Sequence, residues 1–155
     1  MTTPLTYWES LTHGVRASIA KNRVGTPVFV RWTLLVGRDN GELERLVAKM
    51  LETTGKWFGS DAVRVMALAP DKSCTLTVSA EFAAGQTALL TSGLSHQRAE
   101  IDFILLGNKG TSYQHEYPVG INHHDFAVPD SADIDVAIEQ LRRSIASGSP
   151  TSPGS

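Results

Sequence analysis

The sequence predicts an α+β fold. An open, mostly antiparallel sheet carries helices on one face and leaves the other for an oligomer interface. Three observations predict it. Strand-like alternation gathers between about residues 62 and 117 instead of alternating with helices. Short turns join those strands, which suits antiparallel neighbours. Only three segments have helical spacing, enough to cover one side of such a sheet.

The first helix occupies about residues 5–20, where Leu5, Trp8, Leu11, Val15 and Ile19 form one apolar stripe. Glu9 near its start and Lys21 and Arg23 near its end suit the helix dipole. Gly25-Thr26-Pro27 breaks it. A strand over residues 28–36 follows. Val28, Val30, Trp32, Leu34 and Val36 alternate onto one face, and Phe29, Arg31, Thr33 and Leu35 onto the other. After a polar loop over residues 37–41, Leu43, Leu46, Val47, Met50 and Leu51 mark the second helix. Glu42 and Glu44 sit in its first turn, Gly55 ends or frays it, and Trp57 and Phe58 pack just after.

In the strand-rich region Val63, Val65, Ala67 and Ala69 alternate with Arg64 and Met66. Leu76, Val78, Ala80 and Phe82 then oppose Thr75, Thr77, Ser79 and Glu81, the cleanest half-buried strand in the chain. Residues 83–86 read as a hairpin connection and 87–92 as a short strand. Over residues 98–106, Ala99, Ile101, Phe103 and Leu105 face away from Glu100, Asp102 and Ile104. Gly107-Asn108-Lys109-Gly110 is a tight turn whose glycines permit positive φ. The last helix spans about residues 131–146, with Ile134, Ala137, Ile138, Leu141 and Ile145 inward. Asp130 or Ser131 caps its start and Gly148 follows its end. Residues 1–147 thus form a single domain, and 148–155 a disordered Ser/Pro/Gly tail.

Composition bounds the function. At 155 residues, 41% hydrophobic and 19% charged, the chain is a globular domain. A net charge of 14 − 16 = −2 argues against nucleic acid or anionic membrane as partners. The single Cys74 excludes an intramolecular disulfide and a multi-cysteine zinc cluster. Beside Lys72 its thiol could be activated, but a lone cysteine without a neighbouring base reads as a small inert hydrophobe. No apolar run reaches bilayer length, and the N-terminus has no secretory pattern, so a cytoplasmic location is expected.

The ordered motifs resemble the C-terminal, non-Rossmann domain of the Gfo/Idh/MocA oxidoreductases over about residues 5–150. "LTHGVRASIAKNRVGTPVFVRWTLLVG" resembles the helix, glycine turn and long strand that open that domain. "DAVRVMALAPDKSCTLTVSAEFAAGQTALLTSGLSHQRAEIDFILLGNKGTSY" resembles its later sheet, and "DIDVAIEQLRRSIASGSP" its closing helix. The resemblance implies a domain that shapes a substrate pocket and oligomerises through its sheet, beside a Rossmann domain that binds NAD(P).

The departures from that family matter as much. The chain holds no G-x-G-x-x-G, and the family's E-K-P segment would lie before residue 1. Anchored on Trp57-Phe58-Gly59, the Asp and His that the resemblance implies on the second helix fall near Leu46 and Met50, which cannot transfer a proton. A slip of one turn offers Glu44 and Ala48, or Thr54, and still no histidine. No catalytic residue, cofactor-binding residue or metal ligand is therefore assigned.

His123-His124-Asp125, with His115 and Glu116 nearby, is the one cluster with metal-ligand chemistry, but no zinc spacing matches and it reads as a polar loop. His96, Arg98 and His123 are the candidate pocket residues, and Phe29, Arg31, Leu35, Ile104 and Leu106 the candidate interface. Trp8, Trp32 and Trp57 read as core, with Trp32 alternatively joining Phe29 and Arg31 in the interface. The expected function is a stand-alone, non-catalytic oligomerisation or binding domain that forms a dimer or higher homo-oligomer. The alternative is the substrate half of a split oxidoreductase whose NAD(P) is bound by a separate Rossmann chain. A third class, a small-molecule binder or isomerase, would use Arg31, Glu81 and His96.

Overall fold

In the computed structural model the described residues are 6–37, 43–69, 74–95, 99–116 and 126–152. The element order is α1 (Tyr7–Ala20), β1 (Pro27–Val36), α2 (Leu43–Phe58), β2 (Ala62–Leu68), β3 (Thr75–Phe82), β4 (Thr87–Leu94), β5 (Glu100–Gly107), β6 (Thr111–Glu116) and α3 (Ala132–Ser147). The fold is α+β, as expected. The strands form one six-stranded sheet in the order β2-β3-β4-β1-β5-β6. β1 and β4 pair in parallel, and the other neighbours are antiparallel.

Each helix has a physical start and stop. Thr6 caps α1: its hydroxyl accepts from the Glu9 N–H at 3.2 Å, while the Glu9 carboxylate accepts from the Thr6 N–H at 2.8 Å. Those donors from the Thr6 backbone and hydroxyl hold the Glu9 carboxyl below its usual range. Ser131, rather than Asp130, caps α3. α2 continues through Gly55 to Phe58, so Trp57 and Phe58 belong to the helix itself. A Cβ on Gly55 would lie 3.2 Å from the Ser60 carbonyl and 3.6 Å from the Phe82 ring, so close packing holds the glycine in the helix. The stop comes at Gly59 (φ 62°), where the Ser60 N–H returns to the Gly55 carbonyl at 3.1 Å.

β1 is central, between β4 and β5. Its inward residues Val30, Trp32, Leu34 and Val36 are fully buried. Val28 departs from the expected alternation and is 45% exposed, because the register shifts between Pro27 and Phe29. Trp32 belongs to the core and not to the interface: it lies on the opposite face from Phe29 and Arg31 and has no exposed surface. Its ring stacks on Trp57 at 5.4 Å and meets Phe103 edge-on at 5.6 Å. Its Nε1–H donates to the Tyr7 hydroxyl at 3.1 Å. Phe126 closes the cluster with its ring 5.2 Å from Tyr7.

The turn between β5 and β6 works differently from expectation. Neither Gly107 nor Gly110 has positive φ. Both are glycine because the turn lies against residues 23–26, where a Cβ on Gly107 would collide with the Val24 carbonyl. The Asn108 and Lys109 N–H groups donate to the Thr26 and Val24 carbonyls, each at 3.0 Å, and the Asn108 side chain accepts from the Thr26 N–H at 2.9 Å.

The segment after α3, expected as a tail, folds back onto the sheet as far as Thr151. Gly148 (φ 65°) turns the chain back. Thr151 then exchanges two hydrogen bonds with Val65, 2.8 and 2.7 Å, on the outer edge of β2. The Ser144 hydroxyl joins the two segments, accepting from the Ala67 N–H at 2.9 Å and donating to the Ser149 carbonyl at 2.8 Å. These bonds satisfy edge groups that would otherwise be open to pairing. Residues 153–155 lie outside the described residues.

Two substitutions test this framework. Tyr7→Phe leaves the Trp32 N–H buried without its acceptor and is expected to cost about 1–3 kcal/mol in urea unfolding. Gly107→Ala forces the β5–β6 turn off residues 23–26 and is expected to cost about 3 kcal/mol by the same measurement.

Candidate interface on the open sheet face

α2 packs against β1, β3 and β4, and α3 against α2 and β2, which covers one face of the sheet. The register places the opposite face residue by residue. One row across the strands runs Met66, Ser79, Leu89, Arg31, Ile104 and Tyr113. The next runs Leu68, Thr77, Thr91, Thr33 and Asp102. A third brings Phe29 beside Leu106, and a fourth brings Leu35 beside Gly93 and Glu100.

All five interface residues expected from the sequence therefore share this face. Phe29, Leu35, Ile104 and Leu106 are half-buried among their neighbours, and Arg31 is exposed. Leu35 leans across Gly93, where a Cβ would come within 2.8 Å of its Cδ2. The face also carries three exposed apolar side chains that the sequence reading did not single out: Leu68, Leu89 and Tyr113 at 53%, 39% and 60% exposure. The Thr87-Leu89-Thr91 alternation marks Leu89 as outward, but only the register shows that it lies beside Arg31.

Polar groups on this face are loosely matched. The Arg31 guanidinium lies 3.6 Å from Asp102 Oδ2. Asp102 Oδ1 is buried and has no hydrogen-bond partner among the described residues. The Thr77 and Thr91 hydroxyls share a bond of 3.2 Å. Arg64 pairs with Glu81 at 3.6 Å. The Arg31–Glu81 pocket of the third functional class is not assembled: the two stand on strands separated by β4, each with its own ion-pair partner.

His96, Arg98 and His123 lie outside the described residues, as do His124, Asp125 and Lys72. Among the described residues no group of three His, Cys, Asp or Glu could hold a metal ion. Cys74 is partly buried beside the start of β3, and its carbonyl accepts from the Leu94 N–H at 2.9 Å. No described helix is long and apolar enough to cross a membrane.

Solved structures share this architecture. A probable dehydrogenase from Thermotoga maritima superposes with a TM-score of 0.70 at 11% identity, over 94% of this chain and 62% of that one. The scyllo-inositol dehydrogenase of Lactobacillus casei, solved with NAD(H) and scyllo-inositol, gives 0.70 at 12% identity, over 93% and 62%. The myo-inositol 2-dehydrogenase of Lactobacillus plantarum gives 0.69 at 12% identity, over 91% and 61%. The chain has the fold of the C-terminal domain of these dehydrogenases. It spans about three fifths of their length. No protein-family profile and no curated protein matches it. What is shared is the fold.

The positions where the Gfo/Idh/MocA resemblance would put an acid/base pair are apolar and closed. Leu46 is 1% exposed and Met50 is fully buried. The one-turn slip does no better. Glu44 is held by Arg142 at 2.7 Å, Ala48 is buried, and the Thr54 hydroxyl donates to the Met50 carbonyl at 2.8 Å. The β1–α2 connection, GRDNGE, has no G-x-G-x-x-G spacing, and Glu44 puts negative charge in the first turn of α2, where a pyrophosphate would need the opposite. An acidic side chain at the family position therefore has nowhere to ionise. Leu46→Asp is expected to destabilise the fold by about 4 kcal/mol or more in chemical denaturation.

Proposed function

We propose that this chain is a non-catalytic module that assembles with a second copy of itself through the open sheet face. The observation that carries the reading is a six-stranded sheet that, among the described residues, is covered by helices on one face only, with Phe29, Leu35, Leu89, Ile104 and Leu106 on the other. The mixed character of that face supports self-association: apolar side chains surround the Arg31–Asp102 pair, and a two-fold operator brings such a patch onto itself. A net charge of −2 leaves little repulsion between copies.

A second reading has one observation in its favour, the span of about three fifths of the dehydrogenases. In it, a separate Rossmann chain supplies NAD(P) and this chain supplies a pocket wall. The closed, apolar Leu46 and Met50 weigh against it. Recovery of a dinucleotide-binding protein with the tagged chain from native extract would favour the split enzyme.

Sedimentation velocity tests the module. The wild-type chain is expected to sediment as a dimer or larger species, and Ile104→Lys or Leu89→Lys to weaken association by about 30-fold or more while leaving the circular dichroism spectrum unchanged. A wild-type monomer at high micromolar concentration overturns the proposal.

A further inference from the structure

On the helical side of the molecule, a groove of about 420 Å³ is lined by one face of α1 and one face of α2. α1 contributes Trp8, Thr12 and Arg16; α2 contributes Lys49, Thr53 and Lys56, at helical spacings that bring each set onto one face. Three fixed cations therefore line one small concavity, with His13 beside them.

Their counter-charges do not balance. Lys56 Nζ is 2.7 Å and Lys49 Nζ 3.7 Å from the same Glu52 carboxylate, so one acid serves two ammonium groups. The Lys49 side chain is only 21% exposed, which makes its charge less screened than a surface lysine's. Arg16 makes no ion pair with any described residue. Glu9 also lines the groove, but its Oε2 is engaged by the Thr6 N–H at 2.8 Å and hydroxyl at 3.0 Å. Counting Arg16, Lys49 and Lys56 against Glu9 and Glu52 leaves one surplus positive charge at this place, although the chain as a whole is negative.

The neutral residues add to this. Thr12 and Thr53, the latter 5% exposed, also line the groove, and Trp8, likewise 5% exposed, forms an aromatic part of the wall. Ammonium, guanidinium and hydroxyl donors together suit a tetrahedral oxyanion with several acceptor oxygens. The volume exceeds what a bare oxyanion fills and lies within the range of small-molecule sites. We propose that the α1–α2 groove binds a small phosphate monoester, with the phosphate between Arg16 and Lys49 and the organic group against Trp8. The site is independent of the open sheet face, so neither proposal's failure bears on the other.

Phenyl phosphate and inorganic phosphate, titrated at constant ionic strength and followed by calorimetry and amide chemical shifts, test it on the full chain. Phenyl phosphate is expected to bind saturably with a dissociation constant of about 1 mM or tighter, and more tightly than inorganic phosphate. Shifts are expected to concentrate on α1 and α2. Arg16→Gln, an exposed position whose loss leaves folding intact, is expected to weaken binding about tenfold, and Thr53→Val to weaken it measurably. Arg143→Gln on α3, outside the groove, is expected to change nothing. No saturable binding by the wild-type chain overturns the proposal. So does binding that Arg16→Gln leaves unchanged, or that sodium sulfate and phenol together reproduce.

Discussion

The fold depends on how Trp32 is buried. It sits at the middle of β1, with no exposed surface, and touches aromatic rings from α1, α2 and β5. A buried indole supplies a large apolar surface but brings one N–H that needs an acceptor. Tyr7, in the first turn of α1, is that acceptor. One hydrogen bond therefore fixes where α1 docks, and the ring's two faces and edge fix Trp57 and Phe103 around it. Two neighbouring indoles, Trp8 and Trp57, have buried N–H groups without partners among the described residues, so the cluster is held mainly by ring contact.

That arrangement requires β1 to be central. Its inward side chains are fully buried, and it has neighbours on both edges, β4 in parallel and β5 antiparallel. The parallel pair cannot be made by a hairpin. The chain passes through α2, β2 and β3 before β4 returns, and α2 is thereby laid across the strands it connects. One outer edge of the sheet is then closed by the C-terminal segment on β2. Core burial, crossover and edge protection thus follow from placing one tryptophan strand in the centre.

Much of this was legible in the sequence because side-chain alternation is a local property. β3 reads correctly from Thr75 to Phe82, and the apolar stripes of α1 and α3 pick out the buried Trp8, Leu11, Val15, Ile134, Ile138 and Leu141 while missing Tyr7, Gln140 and Ser144, whose polar groups hide their burial. What alternation cannot give is which strand lies beside which. The insertion of β1 between β4 and β5 joins residues about sixty to eighty apart in sequence, and the composition of the open face depends on it: Asp102 beside Thr33, and Leu89 beside Arg31, follow from register alone. Backbone approach was equally hidden. Gly107 and Gly110 read as flexible turn residues, whereas their role is to let the turn touch Val24 and Arg23. Gly55 read as a stop for the same reason, since propensity sees its entropy and not the Phe82 ring against it. The Ser/Pro/Gly composition of the tail suggested disorder, yet two backbone hydrogen bonds to Val65 need no particular side chains.

The contrast between the two faces of the sheet bears on the proposed self-association. Where a dehydrogenase of the Gfo/Idh/MocA kind would need proton-transfer groups on α2, this chain has Leu46 and Met50 in the same apolar core as Trp32 and Trp57. A carboxylate and an imidazole there would have to be reached by solvent or substrate, and that opening would cut into the ring cluster that holds β1. Leu46 and Met50 are instead packed with that cluster. The opposite face lies outside that ring cluster, and its described apolar side chains are half-buried or exposed. A sheet closed tightly on one side and left partly apolar on the other is stable as a single fold while still having surface to bury, and that asymmetry is what a domain working by association requires.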